Sequence, residues 1–188
     1  MSSSIIDLSF PHTWRAEMLA ARPLILPARH FVYPRDVEEV ERGALEVLVH
    51  PEGDAQPFLA TCALGFRDPA APTGVWSCPR AGEICAVAGG YAYVIDADAP
   101  ERFTMMSYRP VLQVLPAPEA GLLLFVGHRG ILARGAQGQA WEAAKLSDEG
   151  VTVTGIEGTL LRGLGWSLMT DKETPFALDL RTGAKIEA

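Results

Sequence analysis

Six side chains have the types and spacing to hold a ligand. In Phe125-Val126-Gly127-His128-Arg129-Gly130, two glycines frame a His–Arg pair that reads as an exposed hairpin turn. The guanidinium fork of Arg129 suits an anion, with the imidazole of His128 beside it. Tyr91 and Tyr93 stand two residues apart, so a strand puts both rings on one face. With Trp76 and Trp166 they are the aromatic candidates for stacking a sugar or a peptide, against the competing use of filling a core. His128, Arg129, Tyr91, Tyr93, Trp76 and Trp166 are therefore the candidate ligand-binding residues. The expectation for the rings rests on their lining one pocket.

Other chemistries lack the spacing they need. His12, His30, His50 and His128 form no HxH, HExxH or His–Cys pair, so no metal ligands are expected. Ser77, Ser107, Ser147 and Ser167 lie outside any GxSxG context, and no catalytic residue is named. Gly89-Gly90 has neither the lysine nor the helix of a phosphate loop and reads as a tight turn. Asp96 and Asp98 fit turn formation and solubility. No cofactor is implied.

Bulk properties bound the rest. The chain has 188 residues, 48% hydrophobic and 21% charged, enough for one domain with a proper core or two small ones. A formal charge of −7 argues against broad contact with a nucleic-acid backbone. Cys62, Cys78 and Cys85 are odd in number and form no CxxC pair, which suggests free thiols in a reducing, cytoplasmic compartment. The start lacks a basic stretch followed by an apolar run, so no signal peptide is expected. The longest apolar run, residues 121–127, is far below the roughly 20 residues of a spanning helix, so no membrane partner is expected either.

The elements that must position these residues read as short strands punctuated by glycine and aspartate turns. Residues 1–43 read as an irregular arm broken by Pro11, Pro23, Pro27 and Pro34. Within it, residues 14–21 suggest one or two helical turns anchored by Trp14 and Met18. Residues 36–42 suggest a short helix or an extended lead-in. Residues 44–188 read as a single all-β domain. In its first hairpin, Leu45, Val47 and Val49 alternate with Glu46, Leu48 and His50, a strand half exposed at Glu46 and His50. Residues 66–74 form a proline-rich loop, and strands follow at short intervals as far as residue 180.

Residues 111–144 and 151–183 each read as four short strands, close to the span of one propeller blade. The fold expected is thus all-β and antiparallel, with propeller-like repeats of short strands; a β-sandwich or partly open barrel fits the same strand list. The segments Gly74-Val75-Trp76-Ser77, Ala88-Gly89-Gly90-Tyr91-Ala92-Tyr93 and Leu124-Phe125-Val126-Gly127 lead on to Trp141-Glu142 and the closing residues 176–183. Together they resemble an uncharacterised family found in bacteria and plants, with propeller-like strand repeats. The resemblance spans most of the chain and implies no activity.

These observations point to a small soluble all-β binding or scaffold protein that acts through a surface, with a protein partner or a second copy of itself. The alternative is an enzyme or small-ligand-binding protein, with a site gathered from distant loops around His128 and Arg129. Catalysis and binding both stay open at this level.

Overall fold

A computed structural model describes residues 5–35, 42–66 and 70–186. In it the short apolar runs are strands, and the chain is all-β. In order they are β1 (Ile5–Asp7), β2 (Trp14–Leu19), β3 (His30–Tyr33), β4 (Ala44–Pro51), β5 (Phe58–Ala63) and β6 (Gly74–Ser77). Next come β7 (Glu83–Ala88), β8 (Tyr91–Asp96), β9 (Phe103–Met105), β10 (Gln113–Ala117) and β11 (Leu122–Val126). The last are β12 (Ile131–Gly135), β13 (Gly138–Ala143), β14 (Val151–Glu157), β15 (Leu160–Ser167) and β16 (Lys172–Asp179). One 3-10 turn, Pro118–Ala120, joins β10 to β11. Among the described residues, no helix is long and apolar enough to cross a membrane.

The chain divides into two units, Met1–Pro110 and Val111–Ala188. The first holds two sheets, with strand orders β1-β6-β7-β8-β9 and β2-β4-β5-β3. One core lies between them. Val47, Val49, Phe58 and Cys62 come from one sheet, and Ile84, Ala86, Tyr93 and Ile95 from the other. The indole N–H of Trp14 donates to the carbonyl of Glu83 at 3.1 Å and so pins β2 to the other sheet. The second unit repeats this plan with sheets β10-β11-β12-β13 and β14-β15-β16. Leu124, Ile131 and Trp141 meet Leu161, Leu178 and Leu180 in its core. There the Trp141 N–H donates to the Leu180 carbonyl at 2.6 Å. None of the four sheets closes into a barrel.

Burial explains how the strands read in sequence. Every residue of β7 and of β11 is buried, and β11 and β7 from Ile84 onward are continuously apolar. β14 and β16 are largely exposed and correspondingly more polar. Gly89 and Gly90 both take positive φ, 54° and 77°, and join β7 to β8 in a two-residue hairpin, as their sequence suggests.

Several local readings are corrected. Residues 14–19 are strand and not helical turns, because β2 pairs along its whole length with β4. Trp14 and Met18 share a face in either geometry, and the backbone partner decides between them. The segment read as an arm supplies β1, β2 and β3 where it is described. β1 joins β6, and β3 joins β5, in parallel, so the sheets are not purely antiparallel. The last repeat has three strands and not four, since residues 160–167 form one strand through Gly163 and Gly165. These glycines are close approaches and not turns: a Cβ at Gly163 would meet the Phe176 ring, and one at Gly165 the Leu146 carbonyl. The element read over residues 36–42 lies outside the described residues except for Arg42, and the loop at 66–74 does so over residues 67–69.

Candidate functional site

The sequence-predicted residues fall in both units. In the first, Tyr91 and Tyr93 share the core-facing side of β8. Tyr93 is fully buried, and its hydroxyl donates to the Ala63 carbonyl at 3.0 Å. Tyr91 is half-buried between the Phe66 ring, 5.9 Å away edge-on, and the Arg109 guanidinium, 5.8 Å over its face. Trp76 is 2% exposed, and its pairing with Cys85 puts it on the opposite face from the tyrosines.

In the second unit His128 and Arg129 are exposed in the turn between β11 and β12, closed by the Gly127 N–H on the Gly130 carbonyl at 2.9 Å. This turn is tied to the 144–150 loop. The Leu146 N–H donates to the Arg129 carbonyl at 2.9 Å, and the Gly150 N–H to the His128 carbonyl at 2.8 Å. The same loop is tied to β15. Ser147 Oγ accepts the Trp166 N–H at 2.8 Å and donates to the Gly150 carbonyl at 2.6 Å. The Asp148 N–H donates to the Trp166 carbonyl at 2.8 Å, and Asp148 Oδ2 accepts the Leu168 N–H at 2.9 Å. Gly165 lets the loop press against the strand.

Between these segments lies a pocket of about 540 Å³, lined among others by Arg129, Lys145, Ser147, Gly165, Ser167 and Thr174. Trp166 also lines it, so the structure brings Arg129 and Trp166 together. Leu161 faces the core, and Gly165 pairs with Thr174. Strand alternation therefore turns the Trp166 indole to the other side of β15 from Gly165 and Thr174. Its backbone N–H and carbonyl are held by the lining residues Ser147 and Asp148. Sequence reasoning missed Lys145, which sits at φ 57°, a conformation unusual for a side-chain-bearing residue.

A groove of the same volume, about 540 Å³, lies in the first unit. Arg35, Arg80 and Arg102 line it with Glu83, Asp96 and Glu101. Glu83 and Asp96 stand directly opposite on β7 and β8, a like-charge pairing that needs compensation. Arg102 supplies it at 2.9 Å from Asp96, and Arg80 at 3.8 Å from Glu83. Asp96 also accepts the backbone N–H groups of Asp98 and Ala99 at 3.1 and 3.0 Å. Arg35 donates to the Glu101 carbonyl at 2.9 Å. Two of the three arginines are thus paired with carboxylates and the third with a backbone carbonyl.

The third feature is a buried polar chain in the β2-β4-β5-β3 sheet. Glu46 is buried and not half-exposed as its alternation suggests: the residue is only 5% exposed. Its carboxylate accepts Arg22 Nε at 2.8 Å and the Thr61 hydroxyl at 2.5 Å. Thr61 in turn contacts His30 Nε2 at 2.8 Å. Burial, followed by the Arg22 charge, lowers the His30 pKa, partly opposed by Glu46. Removing the Glu46 carboxylate would strip acceptors from two partners at a cost of about 2 kcal/mol. Arg22 lies 24 positions away in sequence, so no local pattern announces this network.

Arg22 also anchors one end of the loop between β2 and β3. At its other end Arg29 Nη1 donates to the Gln56 carbonyl at 2.5 Å, and its guanidinium lies 5.8 and 5.9 Å from the Phe31 and Phe58 ring centres. Between these anchors, Pro23 and Pro27 bracket Leu24, Ile25 and Leu26. Leu24 is fully exposed and Ile25 is 88% exposed.

Among the described residues no group of three or more His, Cys, Asp or Glu side chains could hold a metal ion. Cys62, Cys78 and Cys85 are buried and form no disulfide, and burial pushes the Cys62 thiol well above its ordinary pKa. No protein-family model matches the chain, and no curated protein matches it.

Proposed function

We propose that the protein is an all-β binding module that acts through its surface. The observation that carries this reading is the tip Leu24-Ile25-Leu26, exposed to water although both ends of its loop are anchored. Exposed apolar side chains gathered on a fixed support are a feature of interaction sites. The flanking Arg22 and Arg29 are committed to Glu46 and the Gln56 carbonyl, so the tip itself offers an apolar contact suited to a hydrophobic cleft of a protein. A photo-crosslinking amino acid at Ile25 tests this. One discrete adduct is expected, competed by unlabelled protein but not by the Leu24→Asp variant. An adduct of twice 20.2 kDa makes the occupant a second copy of the chain. No adduct beyond that of a probe at the exposed Gln137 contradicts the reading.

The finer architecture belongs to the same proposal. Sheets in which consecutive strands are neighbours, as in β6 to β9, β10 to β13 and β14 to β16, support propeller-like blades and the likeness to the uncharacterised bacterial and plant family. An experimental structure with the sheets arranged radially about one axis would agree; two independent sandwiches would not. Buried cysteines without a disulfide suit a cytoplasmic location.

A second reading, small-ligand binding or catalysis around His128 and Arg129, is favoured by one observation. Arg129 lines the second unit's pocket.

A further inference from the structure

We propose that the pocket of the second unit is a site for a small phosphoryl-bearing anion, held by Arg129 and Lys145. The inference rests on the small-ligand reading and names the ligand class of that site. Charge is the leading argument. Arg129 and Lys145 come from two different segments and line the same cavity, and among the described residues neither pairs with a carboxylate. The one carboxylate in the lining, Asp148, accepts the Leu168 N–H through Oδ2 and leaves the lining with a net positive charge beside Arg129 and Lys145. In the first unit's groove, by contrast, each arginine already has an acceptor from its own chain. A guanidinium fork, an ammonium point charge and hydroxyl donors are complementary to a phosphoryl group. Ser167 and Thr174, both hydroxyl-bearing, also line the cavity, while the Ser147 hydroxyl is taken up by backbone bonds.

The site is also held in place. Backbone hydrogen bonds lace the 144–150 loop to the His128-Arg129 turn on one side and to β15 on the other. Within that loop Lys145 is kept at φ 57°, a conformation that costs a lysine free energy and persists only where its surroundings impose it. Lys185 Nζ stands 3.5 Å from the Lys145 carbonyl, which brings a third cation to the loop. At about 540 Å³ the cavity has room for an organic group beyond the phosphoryl oxygens, so a small phosphate ester is the ligand class assigned.

Isothermal titration at low ionic strength, with pyrophosphate as probe and citrate as carboxylate comparator, tests the assignment. Pyrophosphate should bind saturably with one site per chain, more tightly than citrate, and more weakly as salt is added. Arg129→Gln and Lys145→Gln should each weaken it at least about tenfold. Both side chains are exposed, so an unchanged amide spectrum should accompany the loss. Arg102→Gln, in the other unit, should leave the affinity as it was. Pyrophosphate binding that survives the Arg129→Gln, Lys145→Gln double variant overturns the assignment. Saturable citrate binding lost in that double variant, with no pyrophosphate binding, overturns the phosphoryl class but keeps the small-ligand reading. Binding of neither probe overturns the assignment and leaves that reading without its pocket.

Discussion

The two cavities have the same volume and opposite electrostatic logic. In the first unit, Arg35, Arg80 and Arg102 meet Glu83, Asp96 and a backbone carbonyl of their own chain. In the second, Arg129 and Lys145 have no carboxylate partner among the described residues. By number of cations alone the groove, with three arginines, would be the better anion site, but Glu83, Asp96 and Glu101 line it too. An incoming anion there competes with acceptors already in place. A cavity's affinity for an anion follows its uncommitted donors and not its count of cations.

The largest expected effect breaks the pocket itself. Gly165→Val sets a branched side chain against the Leu146 carbonyl. It should cost about 3 kcal/mol in chemical unfolding, through steric strain against backbone. A cost within experimental error would mean that the 144–150 loop is not packed on β15 as described.

A smaller change sharpens the contrast by making the groove resemble the pocket. Asp96→Asn removes the charge facing Arg102 while keeping an oxygen for the Asp98 and Ala99 N–H groups. Arg102 is 69% exposed along its side chain, so the ion pair is screened, and the loss of stability should be about 1 kcal/mol or less. The variant should gain weak pyrophosphate binding that the native groove lacks. If it gains none, pairing is not what keeps anions out.

The smallest effect concerns pH. His30 has a folded pKa below the ordinary 6.5, so the unfolded chain takes up its proton first as pH falls. The stability that His30 contributes as a neutral ring is fully present above about pH 6.5 and is lost as pH falls from there through the folded pKa. His30→Gln should flatten that limb of the stability–pH curve. A limb of unchanged slope would show that the imidazole is not held neutral beside Thr61 and Arg22.

Much of the strand pattern was legible in the sequence, for a physical reason. β7, β8 and β11 are buried runs bounded by turn residues, and Gly89-Gly90 demands the positive φ it adopts. What failed was non-local. β2 is a strand because β4 lies beside it, and β1 and β3 join edges in parallel through partners distant in sequence. Gly163 falls where a break between two strands is expected, but it accommodates the Phe176 ring within one strand. Of the site, Arg129 and Trp166 do line one pocket, yet alternation along β15 turns the indole away. Lys145 and the Glu46 network gave no signal, since one depends on a backbone conformation and the other on Arg22 crossing from a separate loop.

If uncommitted charge places the anion in the second unit, amide chemical shifts of the native protein should report it during a pyrophosphate titration. Saturable shifts are expected at Arg129, Lys145, Ser147 and Ser167, with the amides of Arg80, Asp96 and Arg102 unmoved. Saturable shifts centred on Arg80, Asp96 and Arg102 would contradict it.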